Sequence, residues 1–264
     1  MKKTKSRIDV LLVDRGLAPT RQRAQAMIMA GQVLLNARAA RKPSETASAD
    51  AHIEVTGADS KYASRAGLKL EGALKDFAID VAGCVCLDVG ASNGGFTDCL
   101  LQHAARRVYA VDVNIKQLDW KLQRDDRVSA IKKNARFLKP PDLPETPAVI
   151  TVDVSFISVT KIIGALAAMA QPNATFLILV KPQFELERTL IGKGGIVRDT
   201  ELHQRAIANV QAAAEKTGLA ILGVQPSRVA GAEGNQEYFL HARRRDSIQS
   251  FALPESRPNV VTKP

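Results

Sequence analysis

The stretch Val85-Cys-Leu-Asp-Val-Gly-Ala-Ser-Asn-Gly-Gly-Phe-Thr-Asp98 decides the fold of most of this chain. It joins an apolar strand, an acid near the end of that strand, a glycine-rich turn and the start of a helix. Glycine permits a tight turn and lets a ligand approach the main chain. The spacing of Gly90, Ser92 and Gly95 puts serine where the dinucleotide fingerprint has its second glycine, so a pyrophosphate would fit poorly. The stretch predicts a nucleoside-type cofactor site in an α/β domain.

A second acid supports this prediction. The next strand pattern, Arg107 to Val113, contains Asp112 near its end, where a carboxylate can accept hydrogen bonds from both ribose hydroxyls of a ligand. S-adenosylmethionine carries an amino acid, a ribose and an adenine but no phosphate, so it needs carboxylates and backbone donors instead of an anion clamp. We therefore expect an S-adenosylmethionine site formed by Asp88, Gly90, Ser92, Asn93, Gly94, Gly95, Phe96, Thr97, Asp112 and Val113.

The same turn allows a different interpretation. Gly90-Ala-Ser-Asn-Gly94 matches the nucleophile-elbow pattern of the α/β hydrolases, in which Ser92 would be the nucleophile. Asp153 and either His203 or His241 follow in the expected chain order. An elbow lies midway through its sheet, however, whereas this turn follows the first strand of its domain. An acyl hydrolase stays an open hypothesis here, as does a non-enzymatic RNA-binding or haemolytic protein.

Positive charge is concentrated at the start of the chain. The 264 residues carry a formal net charge of +10, and residues 1 to 42 hold ten Lys and Arg against two acids. A basic module on a nearly neutral body favours a polyanion partner, nucleic acid before membrane. We find no signal-peptide pattern and no apolar run long enough for a bilayer, and we expect a cytoplasmic protein. The three cysteines match neither disulfide nor zinc spacing, so no metal is expected.

The element patterns predict two domains. Two amphipathic helix patterns and short strands at 33–35 and 53–55 predict a small α+β domain over residues 1–60. Residues 61–80 are predicted to be a linker and leading helix. Strand and helix patterns then alternate over 81–245, which predicts a mainly parallel, Rossmann-like sheet with an antiparallel edge formed by strands at 220–224 and 237–242. Residues 246–264 are predicted to be a loose tail.

Four charged side chains are candidates for catalysis, because ligands bind beyond the carboxyl ends of such strands. Asp153 and Lys181 end two strand patterns, Glu237 follows a glycine-rich turn, and Lys69 lies on the leading helix. Deprotonating a ribose 2′-hydroxyl needs a neutral amine, and partial burial beside a second ammonium lowers the pKa of a lysine. We predict Lys181 as the base, held by Asp153. Lys69 is then the neighbouring cation, and Glu237 positions either Lys69 or the ribose.

The order Lys69, Asp153, Lys181, Glu237 resembles the Lys-Asp-Lys-Glu set of the FtsJ-like RNA ribose methyltransferases. The stretch Arg7-Ile-Asp-Val-Leu-Leu-Val-Asp-Arg-Gly-Leu-Ala-Pro-Thr-Arg-Gln-Arg-Ala24 looks like an RNA-binding module of the S-four type. Residues 5 to 243 as a whole are similar to the TlyA, or hemolysin A, family, on these segments together with Ser64-Arg-Ala-Gly-Leu-Lys-Leu70, Asp153-Val-Ser-Phe-Ile-Ser158, Val180-Lys-Pro-Gln-Phe-Glu185 and Gly194-Gly-Ile-Val-Arg-Asp199.

This resemblance implies a function. It implies a class I methyltransferase domain that uses S-adenosylmethionine to methylate the 2′-hydroxyl of a cytidine in the ribosomal RNA of ribosomal subunits. It also implies that Asn134, with its neighbour Ala135, lies at the adenine edge of the cofactor. Modules of the S-four type bind structured RNA through basic side chains at the first turn of the second helix. The candidate RNA contacts here are Arg7, Arg21, Arg23, Arg41 and Lys42.

Overall fold

The computed structural model describes residues 5–36, 38–40, 42–55, 61–231 and 234–245. The chain divides into two compact units, with the boundary between Lys61 and Tyr62. Arg41, a predicted RNA contact, lies outside the described residues, as do residues 56–60 of the predicted first domain and the predicted tail 246–264. No helix in the described part of the chain is both long enough and apolar enough to cross a membrane.

The first unit begins with a strand that leads straight into a helix. β1 (Lys5–Arg7) is followed by α1 (Ile8–Asp14), and α2 (Arg21–Met29) begins after a short turn. The side-chain oxygen of Thr20 accepts a hydrogen bond from the N–H of Arg23, so it caps the second helix as its residue type predicts. Ile8, Leu12 and Ile28 are buried between the helices and the strands.

Short antiparallel strands complete this unit. β2 (Val33–Leu35) pairs with β3 (Arg38–Ala39) on one side and with β5 (Ile53–Val55) on the other. β4 (Thr46–Ser48) pairs with β1. The sequence predicts β2 and β5 but not the other three strands, because those three contain no large apolar residue that would indicate a strand.

The second unit is built on a sheet with seven strands among the described residues. Its parallel strands are β6 (Val85–Val89), β7 (Arg107–Asp112), β8 (Val128–Lys132), β9 (Val149–Val152) and β10 (Thr175–Val180). β11 (Leu219–Pro226) and β12 (Tyr238–Arg244) follow in the chain. Across the sheet the order is β11, β12, β10, β9, β6, β7, β8. The predicted Rossmann-like fold class is confirmed.

The last strand lies inside the sheet instead of at its edge. β12 is antiparallel to both of its neighbours, β10 and β11. Phe239 and Leu240 are buried on opposite faces of it, which is why this strand occupies an inner position. The predicted antiparallel side of the sheet is therefore present, with β11 alone at the edge.

Helices cover both faces of this sheet. They are α3 (Ala66–Asp76), α4 (Gly95–Gln102), α5 (Trp120–Gln123), α6 (Ile163–Met169), α7 (Pro182–Glu185) and α8 (Thr200–Lys216). Alternate residues of one strand enter different cores: Phe176 and Ile178 pack on one face of β10, and Leu177 and Leu179 on the other. Burial on both faces explains why the strand is a continuous apolar run.

Two glycines of α3 give opposite predictions for stability. A Cβ at Gly67 would lie 2.4 Å from the Cβ of the buried Tyr62, whereas at Gly72 it would lie 3.1 Å from the flexible Arg228 Cδ. Gly67→Ala should lower the free energy of unfolding by about 1–3 kcal/mol through overpacking. Gly72→Ala should leave it unchanged or raise it by up to about 1 kcal/mol, since alanine favours helix. The fluorescence of Trp120, the single tryptophan, follows denaturation of this unit. Equal effects of the two changes would contradict the packing.

Candidate active site

The glycine-rich loop brings two strand ends into contact. Gly90 follows β6 with a φ of +89°, and a Cβ there would lie 2.1 Å from the backbone oxygen of Asp153, which follows β9. The N–H groups of Gly90 and Ala91 both donate to the carbonyl of Val111 on β7, at 2.8 and 3.1 Å. Only glycine fits this close approach and this backbone conformation. The loop therefore fixes the position of the Asp153 backbone.

Asp112 lies at the tip of the neighbouring strand, half-buried and held in place. One of its carboxylate oxygens accepts a hydrogen bond from the Ser92 N–H at 3.0 Å, and the other accepts from the Asn114 N–H at 2.8 Å. Val113 beside it has 60% of its surface exposed. Each carboxylate oxygen can accept a further bond. Asp112 is thus a preoriented acceptor with apolar surface next to it.

Asn134 is exposed and follows β8 at the end where that strand pairs with Asp112. The Lys133 N–H donates to the backbone oxygen of Asp112 at 3.1 Å, and β7 and β8 are paired at that end. The Asn134 side-chain oxygen accepts from the Arg136 N–H at 3.0 Å. Its amide nitrogen is the group left to face a ligand. Ala135, the next residue, is half-buried.

Five of the residues predicted to contact the cofactor are buried. Asp88 is fully buried and accepts hydrogen bonds from the hydroxyls of Thr97, at 2.6 Å, and Thr151, at 3.1 Å. Burial raises the pKa of Asp88 to about 7, against those two hydrogen bonds. Gly94, Gly95 and Phe96 are also buried. Asp88, Gly94, Gly95, Phe96 and Thr97 therefore shape the loop, and their contact with the cofactor stays a prediction. Gly90, Ser92 and Asn93 retain accessible surface.

The four predicted catalytic residues form two ion pairs. Lys69 Nζ lies 2.6 Å from Glu237 Oε2, and Lys181 Nζ lies 2.5 Å from Asp153 Oδ1. Val180 and Tyr238 are opposite each other in the β10–β12 register, so their neighbours Lys181 and Glu237 follow at the same end of the sheet. The structure thereby brings all four side chains together at the carboxyl ends of the parallel strands.

Close packing of α3 against α4 positions Lys69. A Cβ at Gly95 would lie 2.3 Å from Ser64 Oγ and 2.9 Å from the Gly67 nitrogen, so the two helices meet at this glycine. The Ala63 N–H donates to a carboxylate oxygen of Asp98 at 2.7 Å and fastens the segment before α3. A helix that is distant in sequence from the strand ends can therefore supply one of the four charges.

The two ion pairs differ in their access to solvent. The side chains of Lys69 and Glu237 are 7% and 3% exposed, whereas those of Lys181 and Asp153 are 11% and 15% exposed. Buried ion pairs are costly to desolvate and hold position only with good geometry. The more accessible pair is the one able to meet a substrate, and the deeper pair is the one suited to support it.

Two further residues of this site lie in segments that carry the family resemblance, although no role was predicted for them. The Lys181 ammonium also donates to Ser155 Oγ at 3.0 Å, and Ser155 is exposed. Glu185 on α7 accepts from the Ser158 hydroxyl at 2.6 Å and from the Val159 N–H at 2.9 Å, which anchors the segment after Asp153. Burial raises the pKa of Glu185. A polar residue two positions after a strand-end acid is the only signal for Ser155, and it is a weak one.

The hydrolase triad does not form. His203 contacts the Val197 carbonyl through Nε2 and the Tyr238 hydroxyl through Nδ1, at 2.8 and 3.0 Å. The ring of His241 lies against Phe77, with the ring centres 5.1 Å apart. Asp153 is paired with Lys181. Since the three partners that Ser92 would need are engaged elsewhere, the structure does not support the acyl-hydrolase hypothesis.

The predicted RNA contacts lie on the first unit. Arg7 ends β1, and Arg21 and Arg23 belong to the first turn of α2. Arg21 and Lys42 are exposed, and Arg7 and Arg23 are half-buried. Within the residues described, no cluster of three or more His, Cys, Asp or Glu side chains is arranged to hold a metal ion.

Comparison with known proteins identifies the family. Residues 62–244 match the FtsJ-like methyltransferase family, and residues 6–53 match the S4 domain. A 16S/23S rRNA (cytidine-2′-O)-methyltransferase, TlyA, of Mycobacterium tuberculosis is 42% identical over 90% of this chain and 90% of its own. Hemolysin A of Brachyspira hyodysenteriae is 41% identical over 89% of this chain and 98% of its own.

Solved structures agree with this assignment. A Streptococcus thermophilus protein that carries the name hemolysin is 40% identical, with a TM-score of 0.72 over 93% of this chain and 90% of its own. Neither a hydrolase nor a protein without enzymatic activity is supported by these matches. The chain therefore belongs to the FtsJ-like methyltransferase family, as a homologue of the TlyA and hemolysin A proteins that also contains an S4 domain.

Proposed function

We propose that this enzyme transfers a methyl group from S-adenosylmethionine to the ribose 2′-hydroxyl of a cytidine in ribosomal RNA. The observation that carries the proposal is the pair of lysine–carboxylate contacts, Lys181 with Asp153 and Lys69 with Glu237, beside the glycine loop. The names of the homologous rRNA methyltransferases support the same substrate.

The residues around the loop suit S-adenosylmethionine. Asp112 offers two oriented carboxylate oxygens for a ribose diol, and the exposed Val113 offers apolar surface for a purine. Asn134 supplies an amide to the adenine edge. Gly90 lets the backbone of Asp153 pack directly against the loop. Among these accessible groups are acceptors and small residues and no basic side chain, which favours a ligand without phosphate.

S-adenosylmethionine supplies an activated methyl group on a sulfonium, whose carbon–sulfur electron pair returns to sulfur when the methyl group leaves. Lys181, in its neutral form, accepts the proton of the 2′-hydroxyl at Nζ as the ribose oxygen bonds to the methyl carbon. Asp153 orients Lys181 through their 2.5 Å contact. Lys69, held by Glu237, is the positively charged group on the other side of the site. Alignment of the reacting groups supplies much of the rate.

The RNA partner is supported by two features besides the relatives. The first unit matches the S4 domain and carries Arg7, Arg21, Arg23 and Lys42. Phe156, next to Ser155, is 92% exposed and lies 5.2 Å from Phe184, measured between ring centres. An exposed aromatic ring can stack on an unpaired base. We expect rRNA in a ribosomal subunit to be the substrate.

Replacing Lys181 tests the assignment of the base. Lys181→Ala should lower the methylation rate about 100-fold or more, because general-base catalysis contributes about 10²–10⁴-fold. Its affinity for S-adenosylmethionine should stay within about threefold, since that pocket is formed by other residues. Transfer of labelled methyl groups to rRNA measures the first quantity and calorimetry the second. A variant that still methylates at the normal rate would remove Lys181 from the base role.

Asp112 tests the cofactor site. Asp112→Asn should weaken S-adenosylmethionine binding about 10- to 100-fold, because the neutral amide loses charge-assisted hydrogen bonds to the ribose. Asp126→Asn is the matched control: it makes the same change at an exposed acid of the same unit. Isothermal titration calorimetry measures both. No binding by the unaltered protein would refute the methyltransferase mechanism itself, and equal losses in the two variants would refute the role of Asp112.

Salt dependence tests the RNA contacts. The double variant Arg21→Ala, Arg23→Ala should bind rRNA more weakly and with a shallower slope of log affinity against log salt, because phosphate contacts release counterions. The slope should decrease by about 1.8, at about 0.9 for each phosphate that is no longer neutralised. Filter binding at several salt concentrations provides the measurement. An unchanged slope would mean that these arginines do not contact phosphate.

A further inference from the structure

A buried carboxylate lies within the basic surface of the first unit. Asp9 is fully buried in the first turn of α1, where a negative charge also suits the helix dipole. It accepts hydrogen bonds from Arg7 Nε at 2.9 Å, Arg7 Nη2 at 2.8 Å, Arg21 Nε at 3.0 Å and Gln25 Nε2 at 2.8 Å. The end of β1 and the starts of both helices therefore meet at one side chain.

This carboxyl is ionised at neutral pH. The hydrogen bonds from Arg7, followed by those from Gln25 and Arg21, hold the pKa of Asp9 well below its usual range, against the opposing effect of burial. A buried charge without such partners would be strongly unfavourable. The cluster is thus a complete network, with the anion inside and the two guanidinium groups toward the surface.

Both arginines keep free edges for another anion. The side chains of Arg7 and Arg21 are 41% and 54% exposed. Asp9 uses the Nε–Nη2 edge of Arg7 and only the Nε of Arg21. The Nη1 group of Arg7 and both terminal amino groups of Arg21 are not used by Asp9. A guanidinium presents its donors in a rigid plane, so fixing one edge fixes the direction of the others.

Two effects of Asp9 on RNA binding oppose each other. Its negative charge weakens the attraction of the first unit for phosphate at long range. Its hydrogen bonds remove rotational freedom from two long side chains before RNA arrives, which reduces the entropy cost of binding. The sign of the net effect therefore distinguishes a positioning role from a purely electrostatic one.

We propose that Asp9 is a positioning residue that holds Arg7 and Arg21 side by side as a single phosphate-binding pair for the RNA backbone. This inference rests on the proposed RNA partner and adds to it a residue that does not itself touch RNA. It applies to the backbone phosphate, so it concerns docking of the RNA and not recognition of its sequence.

The test compares two variants that make the same change of charge. Asp9→Asn and Asp14→Asn each remove one negative charge from α1, but Asp14 is exposed at the end of that helix. Asp9→Asn should weaken binding of in vitro transcribed small-subunit rRNA about 5- to 10-fold, despite the gain in net positive charge. Asp14→Asn should leave the affinity unchanged or raise it slightly.

A double-mutant cycle tests whether the loss of RNA affinity in Asp9→Asn acts through Arg21. In the Arg21→Ala background, Asp9→Asn should change RNA affinity by no more than about twofold, because interacting residues are not additive.

NMR of the free protein gives a readout without RNA: the Nε–H signals of Arg7 and Arg21 should exchange slowly with solvent and lose that protection in Asp9→Asn. Should Asp9→Asn fail to fold by circular dichroism, Arg21→Lys keeps the charge without the guanidinium plane and should weaken binding about fivefold.

Several outcomes would overturn the proposal. Asp9→Asn that binds RNA as well as Asp14→Asn does would show that charge alone matters, and fast exchange of the arginine Nε–H groups in the unaltered protein would show that they are not held. If the unaltered protein binds RNA and only these tests fail, the proposed function stands without this inference. If it does not bind rRNA at any salt concentration, both fail together.

Discussion

The ion pair between Lys69 and Glu237 is the contact on which the geometry of the site depends. It joins α3 to the residue directly before β12, the last of the strands along the chain, across 168 positions of sequence. Both side chains are almost fully buried, and removing either partner would leave an uncompensated charge in the interior. The loop glycines allow the main-chain approaches that bring Asp153 and Lys181 next to this pair. The protein's own contacts therefore set the positions of the four charged side chains.

The sequence predicts the centre of this site better than its surroundings. An apolar run marks where a strand ends, and the carboxyl ends of parallel strands lie at the same edge of a sheet. The sequence pattern alone could therefore place Asp153, Lys181 and Asp112 at that edge. The pairing of Lys69 with Glu237 depends on how α3 packs at Gly95. Helix packing is a tertiary property, so the sequence pattern left open whether Glu237 positions Lys69 or the ribose.

The parts of the structure that the sequence did not specify have physical reasons as well. Asp88 belongs to the loop motif, yet the hydroxyls of Thr97 and Thr151 draw it into the core, and a motif does not reveal which of its polar groups the fold itself uses. Ser155 was not predicted because single polar residues after a strand are common in surface turns, and Glu185 was not predicted because it ends a helix and not a strand. The inner position of β12 follows from the burial of both its faces, whereas chain order alone suggested an edge.

That inner position also has a consequence for biosynthesis. β12 lies between β10 and β11 but is translated after both of them. A nascent chain that has emerged only as far as β11 has a gap in its sheet and lacks the carboxylate of Glu237. Closing the sheet and supplying the Glu237 carboxylate therefore depend on the same segment of the chain.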